Sequence, residues 1–329
     1  MEKVVLLFMV AFLSPILSIG QDCTQTVPID VIDRDSGAPI VPLTAEALRA
    51  RMGDTPLPVT ALERIPTSRI VVLIDESGSM GESVIPAMSL RSQGQALRTI
   101  KQALSDLMEE LPPGVSVEYG LFNDKWLFTE AFVSDPKELR KRIDDVTSRF
   151  GKTGFGKTAL YDSLHEALLR LGKPQLADTI LLLTDGGDNK SQRTAKELEH
   201  EFGVAGARLL TMMVYGPEAR LGLAPESEQS GLVQQLVSNT GGSTLAINST
   251  SGFWTDKKAS AAFVQMVRYF WQHQVLARYV AHVQVPTALR TEKKWTLSLN
   301  PDVDPRLRRG VVVYPHRLSP CSVTTAIAR

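Results

Sequence analysis

The sequence is poor in the residues that most often build catalytic or transition-metal sites. It has two cysteines and five histidines in 329 residues. None of the histidines shows the spacing of zinc ligands. The chain's most prominent serines, Ser77 and Ser79, do not lie in the Gly-x-Ser-x-Gly turn of a hydrolase nucleophile. We therefore expect no enzyme here.

The sequence also lacks net charge. Lysine and arginine together number 36, and aspartate and glutamate together also number 36. No overall field would attract nucleic acid or an anionic membrane surface. The short basic runs at 257–258 and 306–309 indicate solvated faces rather than nucleic-acid patches. We predict a protein without a nucleic-acid partner.

Only the N-terminus carries a long apolar run. Lys3 precedes the apolar stretch Val4–Leu13, and small residues at 18–20 lead to a plausible cleavage site before Gln21. This order is typical of a secretory signal peptide. An uncleaved anchor is the alternative, but the run is short for a bilayer span of about 20 residues. We predict cleavage, no stable membrane insertion afterwards, and a secreted or periplasmic protein.

The two cysteines, Cys23 and Cys321, lie near opposite ends of the mature chain. Both flank segments with β-like alternation, which we expect to pair. In an oxidising compartment they could form a disulfide that closes nearly the whole chain. Two unpaired terminal thiols are the alternative.

Between residues 68 and 274 the sequence alternates between short apolar runs and helical periodicity. Strands are predicted at 69–74, 115–122, 127–133, 179–183, 208–215 and 244–247. Helices are predicted at about 97–111, 136–146, 160–171, 194–202, 228–237 and 259–273. This alternation predicts an α/β fold with a doubly wound, mostly parallel six-stranded sheet. Ligands bind such sheets beyond the carboxyl ends of the strands.

Both chain ends have a different pattern. Residues 21–67 and 275–329 contain short alternating segments separated by turn signals, which is typical of antiparallel strands. We predict that the two ends pack together as one small β module. The predicted organisation is a signal peptide at 1–20, a β segment at 21–67, an α/β domain at 68–274 and a β segment at 275–329.

One oxygen-rich loop follows the first strand of the α/β region. Asp75, Ser77 and Ser79 are spaced i, i+2 and i+4, so they project from one short loop. A glycine-rich loop contributes Thr158, and Asp185 directly follows another apolar strand. These hard oxygen donors suit Mg²⁺. A helix-capping turn is the simpler interpretation of the first loop, but it requires neither Thr158 nor Asp185.

The set resembles the von Willebrand factor A-type domain and its metal-ion-dependent adhesion site. The resemblance covers roughly residues 68–272. It implies that all five residues hold Mg²⁺, with Mn²⁺ or Ca²⁺ possible, and that the cation captures a carboxylate from a protein partner. The β flanks and the run Thr184–Asn189 resemble a secreted bacterial subgroup. We therefore expect an exported, non-enzymatic adhesion or assembly module. The module could be rigid, or its last helix could shift when a ligand binds.

Two alternatives remain open at the level of sequence. The metal could only stabilise the fold of a structural domain. Alternatively, Gly151–Thr158 matches the P-loop pattern of nucleotidases letter for letter. A P-loop needs a strand before it, whereas residues 139–150 are charged and helically spaced. An exported protein would also lack access to ATP.

Overall fold

A computed structural model describes most of the chain. The described residues are 23–34, 39–78, 80, 88–150, 157–173, 175, 177–215, 226–248, 257–286, 289 and 291–318. The predicted signal peptide, Ser79, the glycine-rich residues 151–156 and Cys321 lie outside this set.

The described chain alternates strands and helices between two β-rich ends. Its strands are β1 (Cys23–Asp33), β2 (Leu48–Met52), β3 (Thr55–Leu57), β4 (Val59–Pro66), β5 (Arg69–Asp75), β6 (Ser116–Phe122), β7 (Trp126–Phe128), β8 (Thr179–Thr184), β9 (Arg208–Tyr215), β10 (Thr244–Asn248), β11 (Ala277–Val285), β12 (Lys293–Lys294), β13 (Thr296–Leu299), β14 (Gly310–Val313) and β15 (Arg317–Leu318). Its α-helices are α1 (Met88–Met108), α2 (Pro136–Phe150), α3 (Leu160–Leu171), α4 (Ala195–Ala205), α5 (Glu226–Asn239) and α6 (Lys257–Phe270). Short 3₁₀ turns occupy Ala45–Ala47 and Pro305–Arg309, and a π-helical turn, Trp271–Val275, follows α6.

Six strands form the central sheet in the order β10-β9-β8-β5-β6-β7. Every neighbouring pair is parallel except β6 and β7, which are antiparallel. In chain order, β5 is the first strand of this sheet, and β6 and β7 are added on one side of it. The next strand, β8, pairs with the other side of β5. The strand order therefore reverses between β5 and β8, which is where doubly wound sheets bind ligands.

Helices cover both faces of this sheet. One face packs against α1, α2 and α6 through residues such as Leu104, Leu139 and Val267. The other face packs against α3, α4 and α5 through residues such as Leu164 and Leu198. The central strands are apolar on both sides because both faces are buried. The predicted doubly wound α/β fold is confirmed.

The predicted third strand is wrong in its length. We expected residues 127–133, but β7 ends at Phe128, and Val133 makes only an isolated bridge with Val117. The chain bends at the exposed residues Glu130 and Ala131, which ends the pairing. Apolar residues occur on both sides of this bend, so the sequence pattern did not reveal it.

The two chain ends form a β module, as predicted. The antiparallel sheet β14-β1-β11-β4 joins them, with Cys23 opposite Val285 and Ile29 opposite Tyr279. A smaller sheet, β13-β2-β3, closes the core around Trp295. Sequence analysis did not separate β2, β3 and β4 within the irregular segment 21–67. Because Cys321 lies outside the described residues, the disulfide remains a prediction.

None of the helices in the described ranges is both long and apolar enough to cross a bilayer.

Candidate metal centre

The candidate site lies at the carboxyl ends of β5 and β8. Asp75 is the last residue of β5, and Asp185 directly follows the last residue of β8. The two strands pair in parallel with Ile74 opposite Leu183, so both acidic residues emerge at one edge of the sheet. Relative exposure is 0% for Asp75, 1% for Ser77, 4% for Thr158 and 7% for Asp185.

Asp75 is held by hydrogen bonds from the loop that follows it and from the end of β8. Its Oδ1 accepts a bond of 2.8 Å from the Ser77 N–H, and its Oδ2 accepts one of 2.7 Å from the Thr184 hydroxyl. The Thr184 hydroxyl in turn accepts a bond of 3.0 Å from the Gly186 N–H. Sequence analysis gave Thr184 no role. Its signal was a polar residue that follows the aliphatic run Ile180–Leu183 and immediately precedes Asp185.

Asp185 is only half satisfied. Its Oδ1 accepts a bond of 3.1 Å from the Gly187 N–H. Its Oδ2 is buried and has no hydrogen-bond partner among the residues that the structure describes. A buried carboxylate oxygen without a partner is costly, because desolvation is not offset by a donor or a cation.

Burial and the nearby Asp185 carboxylate both oppose the ionisation of Asp75. Burial and the nearby Asp185 raise the pKa of Asp75 to about 7, although the bonds from Thr184 and Ser77 act in the opposite direction. A divalent cation between the two groups would favour their charged forms.

Thr158 is fixed to the loop that follows β8. Its N–H donates to Asn189 Oδ1 at 2.8 Å. Its carbonyl accepts bonds from the N–H groups of Asn189 and Lys190 at 3.0 and 3.1 Å. This reciprocal arrangement makes Asn189 a positioning residue for Thr158, a role that sequence analysis did not assign.

Asp188 and Asp162 extend the same connection to α3. Asp188 Oδ1 accepts bonds from the Leu160 N–H at 2.9 Å and the Ser191 hydroxyl at 2.6 Å. Asp162 accepts bonds from the N–H groups of Gln192 and Arg193 at 3.0 and 3.1 Å. The loop after β8 and the start of α3 are thus one hydrogen-bonded unit. Burial raises the pKa of Asp188, while the bonds it accepts partly oppose this shift.

The geometry joins the predicted ligands in two groups. Thr184 links Asp75 and Ser77 to β8, and Asn189 links Thr158 to the loop that carries Asp185. Ser79 lies outside the described residues, so its place in the site remains a prediction.

A comparison with known families matches the region of the chain that carries the candidate site. Residues 70–187 match the family described as the von Willebrand factor type A domain. The α/β segment around these residues is therefore similar to a von Willebrand factor type A domain, and we call it the type A domain. The matched segment begins within β5 and ends two residues after Asp185, so it includes the four described ligand candidates Asp75, Ser77, Thr158 and Asp185. Domains of this type are typically interaction modules rather than enzymes, and they often bind a divalent metal.

The chain also has low similarity to several solved structures. BatB from Bacteroides thetaiotaomicron is 17% identical, with 62% of this chain and 98% of that chain covered and a TM-score of 0.39. A von Willebrand factor type A protein from Catenulispora acidiphila is 12% identical, with 86% and 71% covered and a TM-score of 0.42. Proximal thread matrix protein 1 from the mussel byssus is 18% identical, with 64% and 48% covered and a TM-score of 0.42. No curated protein matches the chain.

The residues of the type A domain fit a hard divalent cation. The described chain has no group of three or more His, Cys, Asp or Glu side chains that could hold a metal. The site instead combines two carboxylates with hydroxyl groups, which is the donor chemistry that Mg²⁺ accepts alongside water. The unpartnered Oδ2 of Asp185 is a ready ligand within this set.

The P-loop interpretation lacks its structural context. Helix α2 extends to Phe150, immediately before the glycine-rich residues. A P-loop requires a strand at that position, since the strand aims the loop's N–H groups at the phosphates. The N–H of Thr158 also already donates to Asn189.

We expect the metal-free protein to lose stability as the pH rises from about 4 to about 7. The pKa of Asp75 is raised to about 7 in the folded state from an ordinary value of 3.8. The folded state therefore binds this proton more tightly, and its stabilising contribution is lost as the pH rises through 7. Urea unfolding of chelator-treated protein between pH 4 and 8 measures the effect.

The control for this pH dependence is Asp75→Asn, which does not titrate. Subtracting its stability profile from that of the unmodified protein isolates the contribution of Asp75. Parallel profiles for the two proteins would contradict the prediction.

Proposed function

We propose that this protein is an exported, metal-dependent protein-binding module. Asp75, Ser77, Ser79, Thr158 and Asp185 would hold one Mg²⁺, and a protein partner would supply an Asp or Glu carboxylate. The observation that carries the proposal is the buried Oδ2 of Asp185, which lacks a hydrogen-bond partner among the described residues and lies near the buried carboxylate of Asp75.

The donor types favour a cation that captures an external carboxylate over a cation fully enclosed by the protein. Ser77, Ser79 and Thr158 would offer neutral oxygens, so they add no negative charge to the site. A cation held by few carboxylates retains more attraction for an external carboxylate than one enclosed by many. The bound metal would supply this electrostatic docking point.

The hydrogen-bonded loops support a preorganised site. Thr184 holds Asp75 toward β8, and Asn189 holds the backbone of Thr158 toward the same loop. Side chains fixed by such supporting bonds lose less conformational entropy when a ligand arrives. The supporting bonds come from the chain itself, so the site would not depend on the partner for its shape.

Export is part of the proposal and has a separate test. Residues 1–20 have the pattern of a cleaved signal peptide, and the β-flanked layout resembles a secreted bacterial subgroup. We expect mass spectrometry of the protein released from its native cells to give a mature N-terminus at Gln21. A mature chain that retains residues 1–20 would contradict cleavage.

Panning of a displayed random peptide library tests carboxylate capture. The Mg²⁺-loaded mature protein is the bait, and bound peptides are eluted with a chelator. We expect the eluted peptides to share an Asp or Glu whose replacement by Asn or Gln reduces binding by about 100-fold or more. The physical reason is that the amide cannot provide the negative charge that the cation attracts.

The matched bait for this experiment is Asp75→Ala. It should yield no chelator-eluted peptides, because the site would lose a carboxylate. Peptides that bind equally with or without chelator would overturn the proposal. If Mg²⁺ raises the melting temperature but no selected peptide needs it, the metal only stabilises the fold, which is the competing interpretation.

A further inference from the structure

A buried group of charges lies where the β module meets the type A domain. Asp30 comes from β1, Arg208 begins β9, and Arg278 is the second residue of β11. Their relative exposures are 4%, 0% and 2%. All three are therefore removed from bulk water, at a junction that the predicted metal site does not use.

Arg208 binds the β module directly. Its Nη1 donates to both carboxylate oxygens of Asp30, at 3.1 and 3.3 Å. Its Nη2 donates to the carbonyl of Gln274 in the π-helical turn, and the Gln274 side chain accepts from the Ser243 hydroxyl. The Nε of Arg208 is buried without a partner in the described part of the chain.

Arg278 is less satisfied than Arg208. Both its Nε and its Nη1 are buried and find no acceptor among the described residues. The next acid in range, Asp178, is already engaged by Arg69 through bonds of 2.9 and 2.6 Å. Arg278 thus presents buried N–H donors that no acceptor in the described part of the chain uses.

The charges at this junction do not balance. Arg208 is paired with Asp30, and the nearby Asp178 is paired with Arg69. Among the described residues this leaves the positive charge of Arg278 without a carboxylate of its own. Burial and the nearby Arg208 lower the pKa of Arg278 to about 9, so it stays protonated at pH 7. Burial raises the pKa of Asp30 only to about 6, so it is ionised at that pH. An uncompensated buried charge is strongly unfavourable.

We propose that a small monovalent anion, such as chloride, binds at this junction and accepts hydrogen bonds from Arg278. The anion would balance the excess positive charge and satisfy the unused donors. Its size is restricted because the surrounding side chains are buried, which disfavours bulky carboxylates. Binding would tie β1, β9 and β11 together and so stabilise the contact between the β module and the type A domain.

Thermal unfolding in different sodium salts tests this site. The mature protein is compared in chloride, bromide and gluconate at equal ionic strength, over a range of halide concentrations. We expect the melting temperature to rise by a few degrees with halide relative to gluconate, following mass action for one site. The same melting curve in all three salts would overturn the proposal.

Two arginine variants make the test specific. Arg278→Met removes the donors while keeping a long side chain, and it should abolish the halide dependence. Arg308→Met makes the same chemical change at an exposed position and should retain it. Equal halide dependence in both variants would show that the effect does not arise at this junction.

Anomalous diffraction from bound bromide tests the anion site even if Arg278→Met fails to fold. Crystals of the unmodified protein grown or soaked in bromide should give an anomalous peak within hydrogen-bond distance of Arg278. A water at that position, with no anomalous signal, would overturn the proposal.

Discussion

Replacing Asp185 with asparagine is expected to weaken Mg²⁺ binding by about 100-fold or more. The change removes one of the two buried carboxylates and turns the unpartnered Oδ2 position into an amide or a neutral carbonyl. Affinity at oxygen sites depends strongly on the number of charged ligands. Calorimetric titration of Mg²⁺ into chelator-stripped mature protein measures the loss, and Mn²⁺ serves as a second probe.

Asp144→Asn is the matched control for this experiment. Asp144 lies exposed on α2, so the variant has the same change in net charge without touching the site. We expect it to bind Mg²⁺ like the unmodified protein. If Asp185→Asn and Asp144→Asn have the same affinity, Asp185 is not a ligand.

Thr184→Val tests a residue that positions a metal ligand without being a predicted ligand itself. It removes the hydroxyl that donates to Asp75 Oδ2 but leaves every predicted ligand in place. Supporting residues of this kind typically contribute 10- to 100-fold in metal affinity. We therefore expect an intermediate loss, smaller than that of Asp185→Asn.

Replacing Gly242 with alanine is expected to destabilise the fold by about 3 kcal/mol or more. A Cβ at this position would lie 1.8 Å from the carbonyl oxygen of Leu209 and 2.8 Å from its carbonyl carbon. Both atoms belong to the backbone of β9, so no side chain can move aside. Urea unfolding followed by circular dichroism measures the change.

The backbone around Gly242 is fixed on both sides, which explains the size of this effect. The Gly242 N–H donates to the Val237 carbonyl at 3.0 Å. The Leu209 N–H donates to the Thr240 hydroxyl at 3.1 Å, and the Thr211 N–H donates to the Ser243 carbonyl at 3.1 Å. Relieving the clash would require breaking several of these bonds.

Gly203→Ala is the matched control, and we expect it to stabilise the fold rather than destabilise it. Gly203 is exposed within α4, and a Cβ there would meet nothing within 4 Å. Alanine in a helix interior is more favourable than glycine by about 0.5–1 kcal/mol. A Gly242→Ala protein that unfolds within 0.5 kcal/mol of the unmodified one would contradict the predicted close contact.

Local sequence determined the elements of the type A domain and the types of ligand in its site. The apolar run before Asp75 and the apolar run before Asp185 both form central strands, because a strand buried on two faces needs continuous apolar residues. The helices follow from apolar residues repeated every three or four positions. Since Asp75 ends one strand and Asp185 directly follows the other, the meeting of these two acidic residues at one edge of the sheet was predictable.

Contacts between distant residues were decided only by the tertiary structure. Asp75 and Thr184 are 109 positions apart, and Asp30 and Arg208 are 178 positions apart. Periodicity shows which side of an element is buried, but it carries no information on which partner a polar atom will meet. For the same reason the supporting role of Asn189 and the unbalanced charge around Arg278 emerged only from packing. The sequence determined the elements and the donors, while long-range packing determined which charges are satisfied and which still require a ligand.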